Sequence, residues 1–176
     1  MPNWTSNTIH IDGSEADIRA FLEAVKWEDE IFDFNRLIPM PALLKHTNSG
    51  SRTINGTRVT AWYVINPEDP IPGDDGVRLF TPEEEAALKD IGHSDWYSWS
   101  FDQWGTKWNS CRTELTECVF TEPCHAEIRF DTAWAAPLPI LHKMIEMFPK
   151  LSFVCSSLNE GESYRYSLES DAEDAA

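Results

Sequence analysis

The densest chemistry in this 176-residue chain lies between Asp95 and Asn109, where the sequence reads DWYSWSFDQWGTKWN and holds four of the eight tryptophans. Lys107, set between Trp104 and Trp108, can make cation–π contacts or hold an anion. Gly105 permits positive φ or a close backbone approach. Indoles at this spacing can stack on bases or on a partner's side chains. The plainer use of the same residues is a structural corner, with tryptophans buried, glycine making the turn and Lys107 reaching outward. Candidate partner-contacting residues here are Trp99, Trp104, Lys107, Trp108 and Asn109.

Other chemistry is thinner. Cys111, Cys118, Cys124 and His125 lie close in sequence, but no Cys-x-x-Cys pair occurs. Zinc knuckles need closely paired ligands. The four cysteines therefore read as reduced thiols, with Cys118 and Cys124 facing each other across a hairpin, and neither a metal nor another cofactor is expected. His10 and His142 read as exposed polar-face residues. The chain contains no G-x-S-x-G elbow, phosphate loop, H-E-x-x-H or G-x-G-x-x-G. Carboxylate pairs such as Asp95 and Asp102 are unavoidable among 30 acids, and matter only where burial separates their pKa values. No catalytic residue is assigned. An enzyme of unrecognised type stays as the third-ranked reading.

Charge narrows the partners. Fourteen basic residues against 30 acidic ones leave a formal charge of −16, and a split at Leu88 gives each half 7 basic and 15 acidic residues. Such a surface repels phosphate backbones and anionic lipid, so direct duplex binding and membrane attachment are not expected. The clusters Glu28-Asp29-Glu30, Asp74-Asp75 and Glu83-Glu84-Glu85 are candidates for docking a partner with a basic surface. Acids at phosphate-like spacing compete for Arg and Lys that otherwise hold nucleic acid. No apolar run is long enough to span a bilayer. Met-Pro-Asn-Trp has neither the basic nor the apolar region of a signal peptide, so a cytoplasmic location is expected.

These residues need elements to position them. Ile9 and Ile11 alternate with polar neighbours, which predicts a strand over Trp4 to Asp12. Ser14 with Asp17 resembles a capping box, and Ile18, Phe21, Leu22 and Val25 follow at helical spacing over Glu15 to Lys26. Phe32 to Pro41 reads as extended, His46 to Gly56 as loop, Arg58 to Ile65 as strand, and Asn66 to Gly76 as loop. Thr81-Pro-Glu-Glu-Glu85 starts a helix that should stop at Gly92. A short helix should then stop at Gly105. Strands are expected over Lys107 to Thr121 and His125 to Thr132, and a helix over Pro137 to Phe148 with Leu138, Leu141, Met144, Ile145 and Phe148 buried. Trp134 should cap the same core. A last hairpin runs from Leu151 to Ser157 and from Ser163 to Leu168.

With the insertion and the last strand set aside, the order is βαββαβ, the split-βαβ, ferredoxin-like plan: an α+β fold with an antiparallel sheet and two helices on one face. Phe21, Leu22, Ile128, Phe130, Leu141 and Ile145 should form one cluster. The domain spans 1–169 with an insertion at about 27–106, and 170–176 reads as a disordered acidic tail. RNA readers on this plan present aromatics on the open sheet face; here Glu127, Arg129 and Asp131 would face outward, an acidic face that argues against that use.

Four segments together resemble a known family: Met1-Pro-Asn-Trp4 with Asn7, Phe32-Asp-Phe-Asn-Arg-Leu-Ile-Pro-Met-Pro41, Trp104-Gly-Thr-Lys-Trp-Asn109, and Phe130-Asp-Thr-Ala-Trp-Ala-Ala-Pro-Leu-Pro139. The chain is similar, over about residues 1–169, to the YubB-type ferredoxin-like domain family of phages, plasmids and bacterial mobile islands. The resemblance implies a ferredoxin-like fold, a mobile-element origin and the cytoplasm of a bacterial host cell. It implies no activity, since the family has no established function. Residues 46–80 lie outside its pattern. The leading expectation is a non-enzymatic interaction protein, as a counter-defence inhibitor of a host nucleic-acid-binding protein. The second is a single-stranded nucleic-acid or nucleotide binder using Trp104 to Trp108. The oligomeric state is open.

Overall fold

Strand β1 (Trp4–Asp12) is the centre of a five-stranded antiparallel sheet, because isoleucines at every second position bury one of its faces. The computed structural model describes residues 3–64, 77–160 and 165–172. The chain divides into two units, residues 1–39 with 103–176, and residues 40–102.

In the first unit, β1 leads into α1 (Glu15–Val25), whose first turn is capped by the Ser14 hydroxyl accepting from the Asp17 amide at 3.1 Å. The chain re-enters at Gln103 and forms β5 (Cys111–Val119) and β6 (His125–Ala133). It continues into α4 (Leu138–Met147) and ends in β7 (Ser152–Asn159) and β8 (Arg165–Ser170). Numbers β2–β4 and α2–α3 belong to the second unit. The sheet order is β5-β6-β1-β7-β8. Each helical crossover therefore skips one strand, from β1 over β6 to β5 and from β6 over β1 to β7.

Register builds the core. Ile9 pairs with Ile128 on one side and Cys155 on the other, and Ile11 with Ala126 and Phe153. All six are buried, as are Ile18, Phe21 and Val25 of α1 and Ile140, Leu141 and Met144 of α4. The Phe21 ring meets Phe153 at 5.5 Å and Phe148 at 5.0 Å. Each such side chain stabilises by roughly 1.5–3 kcal/mol relative to exposure, so this face dominates the unit's stability. One row further along, Asn7 is buried at 2 % exposure. Its amide donates to the Thr5 carbonyl and the Thr132 hydroxyl, both at 3.0 Å, and its oxygen accepts from the Ser157 hydroxyl at 2.7 Å. A satisfied buried amide costs little, whereas an orphaned one costs about 1–3 kcal/mol.

In the second unit, β2 (Thr47–Ile54), β3 (Thr57–Val64) and the two-residue β4 (Val77–Arg78) form an antiparallel sheet in that order. Ile54, Trp62 and Val77 make its small core. Helix α2 (Pro82–Ile91) begins with a complete Thr81–Glu84 capping box and ends at Gly92 with φ +82°. Helix α3 (Trp96–Gln103) follows, capped by the Asp95 carboxylate accepting from the Ser98 amide at 2.9 Å. The protein is thus a mixed α+β chain with antiparallel sheets.

Several expectations need correction. His46 to Gly56 is mostly strand, not loop. Its polar residues conceal the pattern, but Asn55-Gly56, both at positive φ, make the tight turn that favours hairpins. Phe34–Arg36 is a 3₁₀ turn inside the segment read as extended. In α4 the most buried residues include Ile140, while Leu138, Ile145 and Phe148 are half-buried, as is Leu22 of the expected cluster. Trp134 does not cap the core; it is 40 % exposed, with φ +73°. Ser170 ends β8, and the Ala172 amide donates to the Ser152 hydroxyl at 2.9 Å, so the tail is anchored at its start. Residues 27–106 lie between α1 and β5 in chain order, and their two ends, 27–39 and 103–106, cluster with the first unit. The Asn66–Gly76 loop and residues 173–176 lie outside the described residues.

Candidate functional site

Positive φ at both ends of one stretch of chain assembles the first candidate surface. Gly105, at φ +75°, brings its backbone so close to α4 that a Cβ there would lie 2.8 Å from Pro139 Cδ. This turn separates two kinds of tryptophan. Trp104, 4 % exposed, points inward, its indole N–H donating to the Ile38 carbonyl at 2.9 Å and its ring 5.8 Å from Phe34. The Thr106 hydroxyl is buried and donates to the Ala133 carbonyl at 2.7 Å.

Lys107 and Trp108 lie on the other side of the turn, both half-buried. The Lys107 ammonium lies 4.6 Å from the Trp108 ring centre and 5.1 Å from that of Trp134. Trp108 in turn lies 6.2 Å from Trp4, and the Arg112 guanidinium covers Trp4 at 4.5 Å. The result is an interleaved row, Trp134, Lys107, Trp108, Trp4, Arg112. Arg112, at φ +53°, also pairs with Asp131 at 2.6 Å, and the Ser6 hydroxyl donates to the same carboxylate at 2.9 Å. A hollow of about 390 Å³ opens here between Trp4, Arg112, Asp131, Leu158 and Glu160. Trp4 and Trp134 are not among the partner-contacting residues expected from sequence, where Trp134 reads as a core cap. Their membership of the motifs around Asn3 and Phe130 was visible, but only the sheet register Trp4↔Ala133 brings them together.

Asn109 and Trp104 act inside the fold. The Asn109 oxygen accepts from the amides of Phe34 and Ser110, both at 2.9 Å, while its NH₂ donates to Asp33 Oδ1 at 2.6 Å. The Ser110 hydroxyl donates to the Phe32 carbonyl. The segments Phe32–Pro41 and Trp104–Asn109 are therefore fastened to each other. As candidates for partner contact, Trp104 and Asn109 are corrected to supports. Trp99, 5 % exposed, is likewise turned away from solvent.

The acidic clusters separate as well. Glu28, Asp29 and Glu30 are all exposed, on a turn closed by reciprocal backbone bonds between Trp27 and Glu30 at 2.9 and 3.0 Å. Trp27 stands on the same turn at 52 % exposure. The Glu30 carboxylate accepts from the Thr113 hydroxyl at 2.8 Å, which ties the turn to β5. Trp27 was missed from sequence, although a tryptophan adjoining three acids is itself the signal. On α2, Glu83 and Glu85 are exposed, but Glu84 is not available: both its oxygens bind Arg78 at 2.7 Å. The Arg78 hydrogen bonds hold the Glu84 carboxyl below the usual carboxylate range despite the opposing effect of burial. Asp74 and Asp75 lie outside the described residues.

The sheet face opposite the core is not a plain acidic face. Glu127 is 8 % exposed; it accepts from Thr116 at 2.7 Å and pairs with Arg129 at 2.8 Å and His10 at 3.0 Å. The Thr116 hydroxyl, with His10 and Arg129 beside it, holds its carboxyl low against the opposing effect of burial. His10 is thus tied into this network.

Among the described residues no three His, Cys, Asp or Glu side chains gather as metal ligands, and no helix is long and apolar enough to cross a membrane. Cys118 pairs across the hairpin with Ala126, not with Cys124, which is buried. Burial pushes the Cys155 thiol up to about 12. Thiolate is the reactive form, so a disulfide reagent at pH 8 is expected to label exposed Cys118 first and Cys155 only on unfolding. Mass spectrometry of timed digests checks this; Cys155 labelling at the rate of Cys118 would contradict the packing of β7. Comparison of the chain with family models, with curated proteins and with solved structures returns no match in any of the three.

Proposed function

We propose that this chain is a non-enzymatic interaction protein that docks a basic protein partner through the Trp27–Glu30 turn. One observation carries the reading: the most exposed large apolar side chain in the described structure, Trp27 at 52 %, stands on a turn whose remaining residues are Glu28, Asp29 and Glu30. An indole supplies the anchor typical of interface hot spots. The acids around it select Lys and Arg, and a net charge of −16 steers such a partner from a distance. The finer proposal is a mobile-element counter-defence inhibitor in a bacterial cytoplasm, acting on a host protein that binds nucleic acid. It rests on the segment resemblance and on acids that mimic phosphate. We also propose the ferredoxin-like arrangement for the first unit. The strand order supports it: with β8 set aside, β5-β6-β1-β7 reads second, third, first, fourth, with every neighbour antiparallel.

The test is capture of proteins from bacterial lysate on the immobilised chain, compared with a variant carrying Trp27→Ala, Glu28→Gln and Asp29→Asn. The variant should keep its melting temperature, because these side chains are exposed. A hot-spot truncation costs about 2–4 kcal/mol of binding, enough to lose the captured protein on washing. Elution should be steep in salt, since the Debye length falls from about 10 Å at 0.1 M to about 3 Å at 1 M. Binding that is flat from 0.1 to 0.5 M, or unaltered in the variant, refutes the reading.

A second reading has its own observation. Lys107 held between Trp108 and Trp134, beside Trp4 and Arg112, is a pattern on which single-stranded bases can stack. Labelled oligonucleotide binding lost in Trp108→Ala but kept in the Trp27 variant would favour it.

A further inference from the structure

In the second unit part of the β3 edge, beside a helix, has no pairing partner among the described residues, and we propose that the groove there takes an extended, acidic segment of a partner protein as an added β-strand. It is a different surface from the Trp27–Glu30 turn and does not depend on it. Strand β3 pairs with β2 along Thr57–Tyr63, but on its other side it meets β4 only at Tyr63 and Val64. Among the described residues nothing pairs with Arg58–Trp62 on that side. Their backbone N–H and C=O groups form the kind of edge that templates another strand.

A groove of about 680 Å³ runs along this edge. Four consecutive residues, Arg58 to Ala61, form one wall, and α2 with the turn after it, from Glu85 to Ser94, forms the other. Successive strand residues point to opposite faces, so a groove lying on one face would meet only every second residue. Contact with all four places it along the edge itself. An extended peptide laid there would gain main-chain hydrogen bonds from β3 and set alternate side chains against Val59, Phe80 and Leu88, the chemistry of strand addition.

Charge gives the sign of the peptide. In a chain with twice as many acids as bases, this groove is lined by two cations, Arg58 and Lys89, against one acid, Glu85, with the His93 imidazole beside them. His93 is partnered by Asp102 at 3.3 Å and Arg58 by the Ser51 hydroxyl at 3.0 Å, which leaves Lys89 as the exposed cation on the helix wall. An acidic strand fits; a basic one meets like charge.

The experiment uses a displayed library of random linear decapeptides selected on the full chain, followed by backbone NMR with the best binder. Enriched peptides should carry Asp or Glu interleaved with apolar residues. The amides of Val59, Thr60 and Ala61 should shift and gain protection from exchange. Lys89→Glu, at an exposed position, should weaken acidic binders at least tenfold with the fold intact by circular dichroism. Peptides N-methylated at alternate residues should lose binding in one of the two registers. The proposal is overturned if no peptide enriches, if shifts fall outside residues 58–61 and 80–94, if both N-methylated registers bind as tightly as the parent, or if the edge is instead covered by a second copy of the chain in sedimentation at the same concentration.

Discussion

Phe130→Ala is expected to destabilise the first unit by about 3–5 kcal/mol, the range for emptying a buried aromatic site. Phe130 is 2 % exposed and meets Phe32 at 5.0 Å and Phe34 at 5.9 Å. The cavity would lie where the 32–34 segment closes over the sheet, held there by Asn109 through Asp33 and the Phe34 amide. Collapse into the void would have to break those bonds, so little relaxation is available. Urea unfolding followed by tryptophan fluorescence measures the loss. Phe130→Leu should cost much less. A cost for Phe130→Ala below about 1 kcal/mol would mean that the segment does not pack as described.

Gly105→Val should have the second largest effect. A β-branched residue at φ +75° carries a backbone penalty of about 1–3 kcal/mol. The added Cβ would lie 2.8 Å from a proline ring carbon, with the Ala136 carbonyl at 3.4 Å, so the turn must also shift. Overpacking of this sort adds about 1–3 kcal/mol. The shift would propagate to Trp104 on one side and Lys107 on the other. The variant should therefore lower the melting temperature and disturb the indole environment together. An unaltered melting temperature would show that the turn is free to move, and that the tryptophan segment is not a structural corner.

By spacing alone the Trp104–Trp108 segment offers two alternative uses, a structural corner and a binding surface. The fold divides the segment between them: Trp104 and Asn109 turn inward, while Lys107 and Trp108 join Trp4 and Trp134 at the surface. Sequence spacing does not reveal that division, because it depends on a turn at positive φ and on β1 and β6, whose paired residues Trp4 and Ala133 stand far apart in the chain, being neighbours in the sheet.

What the sequence determined by itself was local. Alternation in β1 and β6, the caps at Ser14 and Thr81 and the stop at Gly92 are written in adjacent residues, because a strand's period and a helix's end groups are satisfied nearby. The same holds for the net charge and for the exposed acids at Glu28–Glu30. The Asn55-Gly56 hairpin was equally local but hidden, because β2 pairs through its backbone while its side chains are mostly polar. Tertiary structure decided whatever depends on partners far along the chain. It buried Glu127 among Thr116, His10 and Arg129, and took Glu84 out of the acidic cluster by giving it Arg78. It also set β4 against β3 at only two positions, so that among the described residues the rest of that β3 edge has no partner. Sequence records which groups a residue carries, but whether a carboxylate faces solvent or a guanidinium is settled only when pairing register and packing bring distant segments together.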